Sequence, residues 1–330
     1  MFFQVVISRC CTKKAPLAQL VEHLTLNQGV QGSSPWRCMR GRRLAIDAGL
    51  WPFPFAFLRY LRAGTQDVYA MKHIFDTHAH YDDSAFDPDR ESIIKSLSSY
   101  GVEKVTDIGA GIESSKAALE LSKKYEMMYC ALGVIPGSCS DINEETWKWL
   151  CESVKSEEKC VAVGEIGLDY HWDDDPRPLQ KKCFEDQMYL AREAEKPIVV
   201  HSRDAAKDTI DIMKGCKAGE IGGVIHCYSY SAESARDFLN MGFYFGIGGV
   251  ITFKNARKLV EAVEYIPLSN IVLETDCPYL APVPHRGERN FSGLLDAVVK
   301  KVSEIKKISP EEVCEQTWQN AHRLYKLGQI

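Results

Sequence analysis

From residue 71 onward the chain predicts a closed (β/α)8 TIM barrel, preceded by a non-globular N-terminal extension. Two observations carry this. Eight short apolar runs alternate with amphipathic stretches over about 260 residues, and six metal-ligating side chains stand at the ends of five of those runs. The predicted strands are 73–79, 102–109, 127–134, 160–166, 197–201, 222–227, 243–249 and 270–275. Between them, helices are expected over 88–100, 114–125, 142–156, 178–195, 204–214, 231–241 and 254–265. Asp87-Pro88 places a proline at a first helical position, while Gly101, Gly215 and Gly242 stand where helices should stop. Alternation of this kind implies a parallel sheet, and eight units in this length suit a closed barrel. An open doubly wound sheet is the alternative, but its ligands meet only at a switch point. Six ligands from five strands fit it poorly.

The six side chains are His78 and His80 in FDTHAH, Glu165 in VGEIGLDY, His201 in VVHSRD, His226 in VIHCYS and Asp276 in VLETDCPYL. Side chains alternate along a strand, so His78 and His80 share a face with Cα atoms roughly 6.5 to 7 Å apart. A barrel gathers such strand ends at one mouth. Imidazole nitrogen and carboxylate oxygen together suit a borderline divalent metal. His78, His80 and Asp276 are expected to hold one ion and His201 and His226 another, with Glu165 bridging. Two ions about 3.5 to 4 Å apart can clamp an attacking and a leaving oxygen and lower the pKa of a water to about 7, so hydroxide is available at neutral pH. Asp276 is expected to orient that water, take its proton and pass it to the leaving oxygen. Singly, a histidine ending a strand is more often a hydrogen-bonded core group, and Asp276 before Cys277-Pro278 could be a turn residue. The combination at five strand ends is what argues for a metal site.

The composition is that of a globular protein, at 45% hydrophobic and 26% charged residues in 330. Residues 1–70 hold nine Lys or Arg against three acids, leaving 31 basic and 42 acidic residues beyond, so the two parts carry +6 and −11. The acidic part argues against broad wrapping of duplex nucleic acid and leaves room for a local basic rim. Twelve cysteines are scattered without a CxxC. Buried free thiols in a reducing, cytoplasmic setting are expected. Cys227 and Cys277 each follow a proposed ligand, so alternation should turn them away from the metals.

Residues 1–70 show no strand–helix alternation, and LAQLVEHLTLNQGVQGSSPWR resembles the spurious peptides obtained when a transfer-RNA gene is read as coding sequence. A misplaced start codon is expected, with the protein beginning at Met71. The apolar run from Leu50 to Leu61 is 12 residues with Pro52, Pro54 and Arg59, too short and broken for a spanning helix of about 20. A signal peptide is the less favoured account, because Arg59 and Arg62 spoil its apolar core and cleavage region. A chain started at Met71 should therefore fold with unchanged metal content and activity; insolubility or lost activity would make the extension part of the protein.

FDTHAHYDD, GEIGLDY, HSRDA, HCYS and ETDCPYLAP, in this order, resemble the TatD family of metal-dependent deoxyribonucleases in the amidohydrolase superfamily. The resemblance covers residues 71 to about 326. It implies a TIM barrel, divalent metals and hydrolysis of DNA phosphodiester bonds, with the ligands on His78, His80, Glu165, His201, His226 and Asp276. Three positions depart from the family pattern: Ile135 where it usually has His, Tyr230 where it commonly has Gly, and Phe291-Ser292 where it often has Glu-Pro. All three are expected in loops at the barrel mouth, where they would bear on substrate preference.

Arg203, Asp204, Arg286, Arg289 and Asn290 follow the fifth and eighth strands and could face a phosphate or nucleotide. Salt bridges between loops are the competing use of Arg203 and Asp204. Tyr170, Tyr228 and Tyr279 could stack on a base, though such tyrosines more often pack. The expected function is a 3′-to-5′ exonuclease on single-stranded DNA ends, with two divalent ions (Mg, Mn or Zn) and no membrane or obligate protein partner. Ester or amide hydrolysis, such as removal of D-amino acids from tRNA, is a second reading. A metal-binding interaction protein without turnover is a third, and the intact Asp276 counts against it.

Overall fold

The computed structural model describes residues 71–328; the expected extension lies outside the described residues. Eight strands are β1 (Ile74–Ala79), β2 (Val102–Ile108), β3 (Met128–Leu132), β4 (Cys160–Asp169), β5 (Ile198–Arg203), β6 (Gly223–Ile225), β7 (Tyr244–Ile247) and β8 (Ile271–Leu273). They pair in chain order, every pair parallel. The sheet then closes on itself. Ala79 bridges Cys277, the His80 amide donates to the Cys277 carbonyl at 2.8 Å, and the Asp276 amide donates to the His78 carbonyl at 2.9 Å. This TIM barrel is the fold that the alternation predicts.

The helices are α1 (Arg90–Ser96), α2 (Ile112–Lys124), α3 (Glu144–Ser156), α4 (Arg177–Glu193), α5 (Ala206–Gly215), α6 (Ala232–Asn240), α7 (Arg257–Tyr265), α8 (Leu295–Lys306) and α9 (Pro310–Leu324). Each lays one stripe on the sheet. In α4 that stripe is Gln180, Cys183, Phe184, Gln187, Met188, Leu190 and Ala191, spaced by three and four residues. All six residues of β1 and all ten of β4 are buried, as strands covered on both faces must be.

A second apolar cluster fixes which end of the barrel is free. Phe75, Val161, Val199, Val224 and Val272, each the second residue of its strand, pack with Trp318, Ala321, Leu324 and Tyr325. The C-terminal helix α9 therefore stoppers the N-terminal end of the barrel, and the Tyr325 hydroxyl donates to the Thr77 carbonyl at 2.7 Å. Only the opposite end, where the ligand motifs lie, is left for chemistry. Helix α9 starts with a capping box, Ser309 with Glu312, and with Pro310 in its first turn. Neither α8 nor α9 is among the helices expected from the sequence, although these start signals are legible in it.

Several boundaries move for local reasons. Helix α1 begins at Arg90 after Asp89, so Pro88 precedes the cap instead of opening the helix, and a tight 3-10 turn carries the chain on to Tyr100. Gly101 (φ 79°) and Gly242 (φ 80°) stop their helices as expected, whereas Gly215 stays in α5 and Lys217 (φ 52°) takes the left-handed position. Strand β4 runs three residues past 166 because Asp169 still pairs with Arg203. Strand β6 stops short because Cys227 turns left-handed at φ 44°.

No helix among the described residues is long and apolar enough to cross a membrane. The nine described cysteines are all free thiols, seven of them buried.

Candidate metal centre

Every motif predicted to supply a ligand delivers its side chain to one point at the open end of the barrel. His78 lies in β1 and His80 just beyond it, and their Nε2 atoms are 3.2 Å apart. Such an approach of two nitrogens needs a shared proton or a shared cation. Glu165 lies inside β4 and reaches between both histidine pairs. Its Oε2 is 3.4 Å from His78 Nε2 and 3.9 Å from His80 Nε2, while its Oε1 is 2.7 Å from His201 Nδ1 and 3.4 Å from His226 Nε2. Asp276 Oδ1 is 3.4 Å from His80 Nε2 and 3.7 Å from His78 Nε2. The rings of His78 and His226 stack at 3.6 Å.

His78, His80 and Glu165 form one group of donors within 4.8 Å of one another, and Glu165, His201 and His226 form a second. The two share Glu165. The donor set, neutral-capable imidazoles with carboxylates, is what a borderline divalent ion takes. Buried polar atoms support the same fit, since His78 Nδ1, His226 Nδ1 and Glu274 Oε2 have no hydrogen-bond partner. His80 is better anchored, its Nδ1 lying 2.8 Å from the Ile108 carbonyl.

Burial would depress His80 and His201, but facing carboxylates outweigh it. Asp276, Asp82 and Glu165 push His80 up to about 10, and Asp169 with Glu165 does the same for His201. Burial likewise disfavours the charged forms of Glu165 and Asp276, and the surrounding imidazoles reverse that and hold both below the usual carboxylate range. A field that favours imidazolium also favours a divalent cation in the proton's place.

Two carboxylates escape the sequence reading. Glu274 is 1% exposed; its Oε1 accepts from the Cys227 amide at 2.6 Å and lies 3.4 Å from His226 Nδ1. Gly246 makes room for it, because a Cβ there would collide with the Glu274 carboxylate. The spacing Glu274-Thr275-Asp276 repeats the alternate positions of His78-Ala79-His80 and is the signal that could have found it. Asp169, at the end of β4, places Oδ2 at 3.0 Å from His201 Nε2. Both buttress an imidazole from the side away from Glu165. Partners of this kind typically carry about 10- to 100-fold of metal affinity. Glu274→Ala should therefore weaken metal binding by about that factor in a competition titration with a chelating dye; an unchanged affinity would leave His226 positioned without it.

Other expectations need correction. Cys227 does not turn away: its left-handed backbone brings Sγ within 4.8 Å of donor atoms on His226 and Asp276. Tyr228 is 2% exposed, donates to the Ser231 carbonyl at 2.6 Å and packs on Phe238 and Phe245, so it offers no face to a base. Asn290 is fully buried and donates to the carbonyls of Thr275 and Tyr279 at 2.9 and 2.7 Å, which ties down the loop carrying Asp276. Ser292 does not line the mouth either; it is buried and donates to Asp76 at 2.6 Å, while Phe291 packs on Tyr100. Asp204 lies 3.2 Å from His171 Nδ1, and Arg289 grips Asp89 through both terminal nitrogens. Tyr170 donates to Asp208 and Tyr279 to Asp83. Arg203 and Arg286 instead lie against aromatic rings, 5.4 Å from the centre of Trp172 and 4.3 Å from that of Phe253.

The family model described as TatD related DNase matches residues 75–326. An uncharacterized metal-dependent hydrolase of Bacillus subtilis, YabD, is 40% identical over 255 residues, covering 77% of this chain and all of that one. The uncharacterized metal-dependent hydrolase TatD of Mycobacterium tuberculosis is 32% identical, covering 77% of this chain and 98% of its own. Among solved structures, the TatD homolog YJJV of Escherichia coli superposes with a TM-score of 0.73 at 28% identity, over 78% of this chain and 99% of that one. The converging imidazoles and carboxylates thus sit in a chain matched from end to end of its barrel, and this chain belongs to the TatD family of metal-dependent hydrolases.

Proposed function

We propose that the chain hydrolyses phosphodiester bonds in DNA, working from single-stranded 3′ ends, with two divalent ions such as Mg, Mn or Zn. The observation that carries this reading is Glu165, whose two oxygens face two separate imidazole pairs. His78, His80 and Asp276 would hold one ion, His201 and His226 the other, and Glu165 both. When bound, the ions polarise the phosphodiester and make water acidic enough to act as nucleophile near neutral pH.

The chain's own groups do the rest. Asp276 is the most open of the carboxylates, with 19% of its side chain exposed against 6% for Glu165. It accepts the proton of the attacking water and hands it to the leaving oxygen as the phosphorus–oxygen bond breaks. Glu165 is too enclosed for that exchange and orients the imidazoles. Arg203, exposed and without a carboxylate within salt-bridge distance among the described residues, binds a phosphate next to the scissile one. A barrel mouth in an acidic protein, with few cations to neutralise phosphates, favours a flexible chain end over the interior of a stiff duplex.

The purified protein, loaded with Mg or Mn, should shorten labelled single-stranded DNA stepwise, and chelator should stop it. Added salt should reduce binding only modestly, since few phosphates are neutralised at once. Arg203→Ala should raise KM several-fold, roughly the loss of one charge-assisted phosphate contact, with metal content unchanged. Intact DNA beside rapid deacylation of D-aminoacyl-tRNA, or opening of a small ester, would replace this reading with the other hydrolase.

A further inference from the structure

We propose that Trp172 is the platform on which the terminal nucleobase of a single strand stacks, with Arg203 alongside it on the neighbouring phosphate. This rests on the phosphodiesterase reading above and names where the base goes.

Trp172 follows β4 and is 40% exposed, a large apolar ring left in solvent beside the mouth. Its position is built. Asp169 Oδ1 accepts from the amides of His171 and Trp172 at 2.9 and 3.1 Å, while Asp169 Oδ2 lies 3.0 Å from His201 Nε2. One buried carboxylate thus spans from a metal-site imidazole to the backbone that carries the indole. Asp169 is itself held by Gln180, which accepts from its amide at 3.0 Å and donates to its carbonyl at 3.2 Å. On the next strand Arg203 is the register partner of Asp169, and its guanidinium lies 5.4 Å from the indole centre.

His171 meets the indole at 88° and lies 3.2 Å from Asp204, joining the loop after β4 to the loop after β5. Of the other exposed aromatics, Tyr189 and Tyr265 are on α4 and α7, in the outer layer, and Tyr279, whose amide donates to the Asp276 carbonyl, has its hydroxyl bound to Asp83. A ring with a cation over it, tied through Asp169 to a metal-site imidazole, matches one base stacked on the indole and one phosphate on the guanidinium of the same strand. The arrangement predicts dependence on a base being present rather than on which base it is, because every base has a π-face.

The test is binding of a single-stranded oligonucleotide with a phosphorothioate terminal linkage, by fluorescence anisotropy on the manganese-loaded full chain, against the same strand with an abasic 3′-terminal residue. In the wild type the abasic strand should bind about tenfold more weakly. Trp172→Ala should weaken the base-bearing strand by about the same factor and bring the two strands within about twofold of each other, and Trp172→Phe should restore most of the difference. Elemental analysis of each variant accounts for any change in metal content. A base-to-abasic difference that survives in Trp172→Ala, or an absence of binding by the wild type, would overturn the platform. Hydrolysis of bis(4-nitrophenyl) phosphate and of unmodified DNA by the wild type is scored separately. If both stay intact while the binding pattern holds, the phosphodiesterase reading fails and the platform stands.

Discussion

Asp276→Asn should lower kcat by about 10²- to 10⁴-fold, the usual contribution of a positioned general base, with metal content and KM little changed. The substitution is chosen for the backbone as much as for the chemistry. Asp276 is left-handed at φ 56°, a region that Asn visits about as readily as Asp and that Ala does not. Its amide donates to the His78 carbonyl at 2.9 Å, and Asn290 holds the carbonyls of Thr275 and Tyr279 on either side. The loop therefore keeps its shape with an amide in place of the acid. An amide oxygen can still face His78 and His80, but it cannot take a proton at neutral pH. Steady-state kinetics on single-stranded DNA beside elemental analysis separates the two roles. Near wild-type kcat would remove Asp276 from proton transfer, and loss of metal in step with activity would make it a ligand only.

The barrel and the site core were legible in the sequence because both rest on periodicity. Eight alternations announce the sheet, and a polar residue ending an apolar run announces a strand end aimed at the mouth. That logic works inside strands and fails one or two residues beyond them. His78 and Glu165 lie within their strands, each at a register shift, whereas Cys227 at φ 44° and Asp276 at φ 56° lie past the strand ends, where alternation no longer says which way a side chain points. Alternation therefore puts Cys227 on the wrong side. Charge matching in loops was legible only as a list of candidates. Arg289 found Asp89, 200 residues earlier, and Asp204 found His171, because distant loops meet at a barrel mouth regardless of sequence separation. Glu274 and Asp169 were missed for a different reason. They lie against imidazoles, 3.4 Å from His226 and 3.0 Å from His201, and one sequence does not distinguish such a carboxylate from an ordinary acid near a strand end.

Glu165→Ala should empty both metal positions, the largest loss of metal expected of any single substitution here. Glu165 is the one carboxylate that both imidazole pairs face, with Oε1 2.7 Å from His201 and Oε2 3.4 Å from His78. Removing it leaves Asp276 beside His78 and His80, Glu274 beside His226 and Asp169 beside His201, but no carboxylate with one oxygen toward each pair. His78 is already pulled down by burial first and by His226 next, and loss of Glu165 takes away the group that most opposes both. The barrel should still fold, because α9 and the valines at the N-terminal end form a separate apolar cluster at the far end of the strands. Metal binding to the wild type should raise Tm by linkage, about 2.7 kcal/mol at a hundredfold excess over Kd, and the Glu165→Ala melting curve should not respond to added ion. His226→Ala should keep part of that response, since the His78, His80 and Asp276 group retains Glu165. Glu165→Gln, with one oxygen instead of two, should favour one position over the other and give about half the metal content. Full occupancy of both positions in Glu165→Ala would show that the two imidazole pairs hold their ions independently, and the bridging role would be lost.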